Sequence, residues 1–111
     1  MLVNPMRRSE ASIREYILER TPIGMSMEDV KTEIRILNGT QHLGHEIRHS
    51  ERGYSNHRLP PEQRIVGEKH IRLDIATNKR YFVLSESVRV YWGFDADGIL
   101  IDVFVHKFIL I

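Results

Sequence analysis

The spacing of apolar residues divides the chain into a helical part and a later extended part. Over residues 9–39, apolar residues recur at steps of three and four, which places them on one face of a helix. From about residue 64 they alternate, or run together with β-branched and aromatic residues, as in strands. Helices followed by strands predict an α+β domain in which two N-terminal helices pack on one face of an antiparallel sheet of three to five strands ending in a β-hairpin.

Serine residues mark the start of each predicted helix. Ser9 or Ser12 can cap the first helix, which we expect to run to about Arg20. Ser26 is predicted to cap the second helix, and Asn38-Gly39 to form its C-terminal cap. The apolar stripe of each helix would then lie on the sheet.

The length of the chain predicts a single domain over residues 1–111. Residues 1–8 are expected to form a loose arm. Residues 40–63 are rich in histidine and arginine and poor in aliphatic residues, so we expect an irregular segment with a weak strand at most, near residues 44–49. Further strands are predicted over residues 64–73 and 79–84, before the hairpin.

The sequence Asp95-Ala96-Asp97-Gly98 predicts the turn of the hairpin, because aspartate opens a type I turn and glycine adopts the left-handed conformation that follows it. With Asp95 opposite Ile99, pairing outward places Phe94 against Leu100. The remaining predicted pairs are Trp92 with Asp102, Val90 with Phe104, Val88 with His106, Gly93 with Ile101, Tyr91 with Val103 and Arg89 with Val105.

Three aspartates in this hairpin are candidates for chemistry. Asp95 and Asp97 precede a glycine, as in the opening of a calcium loop, but the later oxygen ligands of an EF-hand are missing, so we interpret both as turn residues. Asp102 falls among apolar neighbours in the predicted register. We expect it to pair with an arginine or to cap a helix.

Both faces of the predicted hairpin are largely apolar, whereas two helices can cover only one face of a sheet. An uncovered apolar face usually contacts a partner or a second copy of the same chain. We therefore expect the face that carries Tyr91 to bind another protein or to form a homodimer. The predicted partner-binding residues are Tyr91, Ile101, Val103 and Arg89.

The sequence His45-Glu46-Ile47-Arg48-His49 matches the H-E-x-x-H pattern of zinc metallopeptidases. On a helix, His45 and His49 would bind Zn²⁺, and His42 could supply a third ligand. A zinc-dependent hydrolase is therefore the alternative function. The polar context of the motif favours a solvated strand or loop, so the leading hypothesis is a protein that is not an enzyme and has no cofactor.

Composition limits the classes of function and the cellular locations that the protein could have. The net charge is +1, from 16 basic and 15 acidic residues, which gives no general reason to expect nucleic-acid binding. There is no cysteine, no apolar run long enough to span a membrane and no signal peptide in the sequence given, so we expect a cytoplasmic protein, or a periplasmic one if an export signal has been removed. A nucleic-acid-binding module would use Arg48, Arg52, Arg58, Arg64, Lys69 and Arg72.

Two stretches carry a resemblance to a known family. Pro22-Ile23-Gly24-Met25-Ser26-Met27-Glu28-Asp29-Val30 resembles the start of the second helix in the small bacterial BamE/SmpA-like proteins. Tyr91-Trp92-Gly93-Phe94-Asp95-Ala96-Asp97-Gly98-Ile99-Leu100-Ile101-Asp102-Val103 resembles their closing hairpin and is most similar to uncharacterised members. The family shares its helix-helix-sheet fold with the repeats of the β-lactamase inhibitory protein. The resemblance implies a bacterial domain that binds protein through its sheet, as an inhibitor or a toxin-immunity protein whose partner is a toxin or an enzyme.

Overall fold

Two helices lie against one face of an antiparallel sheet in the computed structural model, which describes residues 9–41, 47–76 and 85–110. The predicted fold class is therefore confirmed. The predicted arm over residues 1–8 and the strand over residues 79–84 lie outside the described residues. Among the described residues, no helix combines the length and the apolar character needed to cross a membrane.

The two helices are α1 (Glu10–Arg20) and α2 (Met27–Gln41). Ser9 caps α1, because its hydroxyl accepts a hydrogen bond from the N–H of Ser12 at 3.0 Å. Ser26 caps α2 in the same way, accepting from the N–H of Asp29 at 3.3 Å. The predicted C-terminal cap at Asn38-Gly39 is wrong, since the helical backbone continues to Gln41.

Four strands form the main sheet in the order β1-β4-β5-β6, and every neighbouring pair is antiparallel. Two short strands, β2 and β3, form a separate ribbon. The predicted strand over residues 64–73 is divided between β3 and β4, because Gly67 has a φ of +76° and turns the chain from the ribbon into the sheet. The strands are β1 (Ile47–Ser50), β2 (Tyr54–Ser55), β3 (Ile65–Val66), β4 (Lys69–Ala76), β5 (Ser85–Phe94) and β6 (Leu100–Leu110).

The main core lies between the helices and the sheet. Its largest side chain is Trp92, which is fully buried and whose indole N–H donates to the hydroxyl of Thr21 at 3.0 Å. That hydroxyl in turn donates to the carbonyl of Ile17 at 2.8 Å, so the buried polar atoms at the end of α1 are paired. The other buried members of this core are Ile13, Ile17, Val30, Ile34, Leu37, Ile71, Leu73, Val88, Val90, Phe94, Leu100, Val103 and Val105.

The hairpin turn forms as predicted, but the register beyond it does not. Asp95 accepts hydrogen bonds from the N–H groups of Asp97 and Ile99, and Gly98 adopts a positive φ of 77°. Phe94 pairs with Leu100, as predicted. The next pairs are shifted by one residue: Gly93 with Asp102, Trp92 with Val103, Tyr91 with Phe104, Val90 with Val105 and Arg89 with His106.

A β-bulge causes this shift, and burial explains its position. Ile101 is the extra residue of β6 and has no partner in β5. The bulge brings Val103 to the helix-covered face, opposite Trp92. Without it, Asp102 would face the apolar core, where an unpaired carboxylate is costly. Instead, Asp102 pairs with Arg14 at 2.9 Å, which confirms the expectation that it would pair with an arginine.

Candidate functional site

The second face of the sheet, opposite the helices, is covered in part by the segment of residues 51–68. Tyr54 in β2 is the main covering residue, with only 2% of its surface exposed. Its ring stacks on that of Tyr91, with the centroids 5.0 Å apart, and is nearly parallel to Phe104 at 6.1 Å. Its hydroxyl donates to Asp102 at 3.3 Å. Burial and the Asp102 carboxylate raise the pKa of Tyr54, so the phenol stays protonated.

Gly93 makes room for this cover. A Cβ atom added to Gly93 would lie 2.6 Å from Cε1 of Tyr54, which is closer than carbon atoms pack. The covering segment itself is held together at a second close approach, between Gly53 and the carbonyl of Gly67. The missing side chain of Gly93 therefore leaves room for the ring of Tyr54, and that of Gly53 leaves room for the backbone of Gly67.

Beyond Tyr54, the second face carries an aromatic row along β6, formed by Phe104, His106 and Phe108. These residues alternate along the strand and so point to the same side. The ring of His106 stacks on that of Phe104 at 6.0 Å and contacts that of Phe108 at 5.3 Å. His57, from the covering segment, approaches His106 at 4.7 Å. Phe104 is buried, whereas His106 and Phe108 are partly exposed.

Two arginines lie over the ends of the aromatic row. The guanidinium carbon of Arg58 is 5.4 Å from the ring centroid of Phe104, and that of Arg89 is 5.1 Å from the centroid of Phe108. Each guanidinium group is therefore within cation–π distance of a ring. Both side chains remain partly exposed, with 46% for Arg58 and 32% for Arg89.

Asp74 is an anion placed between two arginines of this face. It accepts a hydrogen bond from Nε of Arg89 and lies 3.2 Å from Nε of Arg72. The Arg72 contact lacks the geometry of a hydrogen bond, so it is an ion pair by distance only. Burial disfavours the charged form of Arg89, but hydrogen bonds with Asp74 and Tyr91 outweigh this effect and raise its pKa.

A second ion pair closes the other end of the row. Glu10 at the start of α1 accepts from Arg58 at 2.7 Å and from the backbone N–H of Lys107 at 2.7 Å. These hydrogen bonds lower the pKa of Glu10, against a smaller opposing effect of burial. The pKa of His106 is also lowered, by burial first and then by the positive charges of His57 and Arg58.

The structure separates the four residues predicted to bind a partner. Tyr91 and Arg89 lie on the second face, as expected, although Tyr91 is partly covered by Tyr54. Val103 lies in the main core with 1% of its surface exposed, because the bulge moves it to the helix-covered face. Ile101, at the bulge itself, is 42% exposed. The role of these residues in binding stays a prediction.

The described part of the H-E-x-x-H pattern, residues 47–49, lies in a strand and not in the helix that zinc catalysis would need. Ile47–Ser50 is a strand, and His49 within it lies 3.5 Å from Glu51. His42, His45 and Glu46 lie outside the described residues. Among the residues that the structure describes, no group of three or more histidine, aspartate or glutamate side chains is arranged to hold a metal ion.

Sequence reasoning missed Tyr54 and the aromatic row, and it considered Arg58 only as a contact of a nucleic-acid-binding module. A single tyrosine in a polar segment gives no periodic signal, so its burial on the sheet could not be inferred locally. The alternation of Phe104, His106 and Phe108 was visible in the sequence. The pairing without a bulge placed Phe104 and His106 together on the Trp92 face, which is the wrong face of the sheet.

Comparisons of the chain with protein-family models, with curated proteins and with solved structures find no match.

Proposed function

We propose that this chain is a small protein-binding domain that is not an enzyme, and that its contact surface is the uncovered part of the second sheet face. The observation that supports this proposal is the aromatic row with a guanidinium group stacked over each end. Aromatic residues and arginine are the types most enriched at the centres of protein interfaces. Since hydrogen bonds to Glu10 and Asp74 already hold Arg58 and Arg89, these arginines lose little conformational freedom when a partner binds.

The proposed contact surface differs in its residues from the surface predicted from the sequence. It keeps Tyr91 and Arg89 but replaces Val103 by the exposed members of the aromatic row, His106 and Phe108. The narrower proposal, that the partner is a toxin or an enzyme inhibited by this domain, is supported by the resemblance of the hairpin motif to those of the BamE/SmpA-like proteins. A homodimer through the same face is the alternative partner.

The test compares truncations at this surface with a matched control on the helical side. Arg89→Ala and Phe108→Ala remove the pair at one end of the row. Arg20→Ala is the control, because Arg20 also lies over an aromatic ring, that of Tyr16, at 5.4 Å. Partners captured from an extract with the unmodified chain are identified, purified and titrated calorimetrically against all four proteins.

We expect Arg89→Ala and Phe108→Ala each to weaken the titrated complex by at least about tenfold, the effect of a residue at the centre of an interface. Arg20→Ala should leave the affinity unchanged. Sedimentation velocity of the same set tests the homodimer. Equal affinity in all variants would contradict the proposal. So would salt-sensitive binding of an oligo-dT strand that Arg89→Ala abolishes, because single-stranded nucleic acid also uses arginine and aromatic side chains.

A further inference from the structure

The two edges of the main sheet are protected to very different degrees. At the β6 edge, α1 supplies side chains to the strand backbone: Arg14 Nε donates to the carbonyl of Val103 at 2.8 Å, and Glu10 accepts from the N–H of Lys107 at 2.7 Å. These contacts occupy the groups that another strand would pair with. The β6 edge is therefore blocked by the protein's own helix.

Among the described residues, the β1 edge shows no such bond from another element at Ile47, His49 or Ser50. β1 (Ile47–Ser50) pairs with β4 on one side, and the described sheet ends there. Its side chains are largely exposed, including Ile47 at 37%. A strand of this kind presents a row of backbone donors and acceptors to an approaching extended chain.

A cleft beside this edge has a definite chemical character. It has a volume of about 270 Å³ and lies between α2 and the sheet. Ile71, fully buried, and Ile47 give it an apolar floor. Its other described lining residues, Lys31, Arg35 and His49, form a rim on which Lys31 and Arg35 carry positive charges.

The charges of this rim are incompletely neutralised. Lys31 lies 3.5 Å from Glu28, one turn earlier in α2, and the carboxylate-bearing side chain of Glu28 is 84% exposed. His49 lies 3.5 Å from Glu51. Arg35 has no acidic group within ion-pair distance among the described residues. A ligand carboxylate that reached Arg35 would therefore not have to displace an internal partner.

From these observations we propose that the β1 edge is a binding site for an extended acidic segment of another protein, which adds to the sheet as a fifth strand. Backbone hydrogen bonds to β1 would provide much of the affinity. A glutamate or aspartate side chain of the segment would reach Arg35 and Lys31, and an apolar side chain would cover Ile47. The site is separate from the aromatic row, which lies on the opposite face of the sheet, and it does not rest on the function proposed above.

The probe is a synthetic peptide of alternating valine and glutamate, about nine residues long, which is the length of a long natural strand. Amide chemical shifts of the ¹⁵N-labelled chain are followed as the peptide is added. Two matched peptides serve as controls: one with lysine in place of glutamate, and one with alternate backbone nitrogens methylated. The titration is repeated with Arg35→Glu and with Arg20→Glu, which makes the same charge change on α1.

We expect the shifts to concentrate at Ile47–Ser50 and the adjoining residues of β4. Arg35→Glu should weaken binding by about tenfold or more, because it replaces attraction by repulsion at the rim, whereas Arg20→Glu should have little effect. The lysine and methylated peptides should not bind.

Three results would overturn the proposal. They are failure of the acidic peptide to bind, equal binding by Arg35→Glu, and equal binding of the methylated peptide, which would mean that the backbone of β1 takes no part. Shifts confined to the aromatic row would likewise overturn it, and would leave the proposed function standing.

Discussion

The two faces of the sheet are built from the same strands but are closed in different ways. The helix-covered face is aliphatic apart from Trp92 and Phe94, and its buried side chains lie beneath α1 and α2. The second face is aromatic and charged, and among the described residues Tyr54 closes only its end nearest the hairpin turn. Toward Phe108, rings and guanidinium groups reach the surface.

This difference shows how one hairpin supports a closed core on one face and, in our proposal, a contact surface on the other. Close-packed aliphatic side chains between two layers give a unique fold but leave nothing to contact a partner. Rings that lie beside arginines can be half exposed, because the guanidinium groups remain solvated or paired while the arginine side chains cover part of each ring. Alternation along β6 separates its valines from its rings. The bulge at Ile101 decides that the valines face the helices and the rings face the other side.

The largest expected effect tests the register on which this division depends. Val103→Asp would bury an unpaired carboxylate beneath α1, and we expect it to abolish cooperative unfolding, a loss above about 4 kcal/mol. Ile101→Asp, two residues earlier at the exposed bulge, should cost about 1 kcal/mol or less. Urea unfolding followed by circular dichroism distinguishes the two. Similar losses in both variants would contradict the bulged register.

The next effect tests the cover on the second face. Tyr54→Ala removes a buried ring and should lower the free energy of unfolding by about 3 kcal/mol. Tyr54→Phe keeps the ring and removes only the hydrogen bond to Asp102, so it should cost about 1 kcal/mol. The measurement is chemical unfolding of both variants beside the unmodified chain. A loss below about 1 kcal/mol for Tyr54→Ala would mean that the ring does not close this face.

The smallest effect concerns the contribution of His106, on the second face, to the acid sensitivity of the folded chain. The pKa of His106 in the folded chain is lower than the ordinary value of 6.5, so the unfolded chain binds its proton first as the pH falls. The stability that depends on neutral His106 is therefore fully present above pH 6.5. It declines as the pH falls below that value, until His106 is protonated in the folded chain as well. His106→Asn should remove this part of the decline. Unfolding at pH 7.5 and at pH 5.5 measures it, with His49→Asn on exposed β1 as the control.

The sequence alone predicted those parts of the fold that repeat or that depend on local chemistry. The apolar stripes of α1 and α2, the caps at Ser9 and Ser26 and the turn at Asp95 all follow from neighbouring residues. The bulge could not be predicted in this way, because burial decides its position. The alternation of side chains along a strand is compatible with either register.

The composition of the second face could not be predicted for a related reason. Tyr54 reaches Tyr91 across 37 positions of sequence, and a single covering residue leaves no periodic trace. The glycine at position 93 is evident from the sequence, but the reason for it becomes clear only from the position of the Tyr54 ring beside it. Arg58 and Glu10 likewise meet across 48 positions. Long-range contacts of this kind, rather than local propensity, determine which part of the face stays open.

The contact between Gly93 and Tyr54 offers the most direct measurement of whether the second face is closed at one end and open at the other. Gly93→Ala should cost about 2 kcal/mol, because its Cβ would overlap a buried ring that cannot move away. In a Tyr54→Ala background the same substitution should be neutral or slightly stabilising, since alanine suits a strand better than glycine. A double-mutant cycle with a coupling energy of about 2 kcal/mol is the result we predict. Additive effects of the two substitutions would contradict this account of the second face.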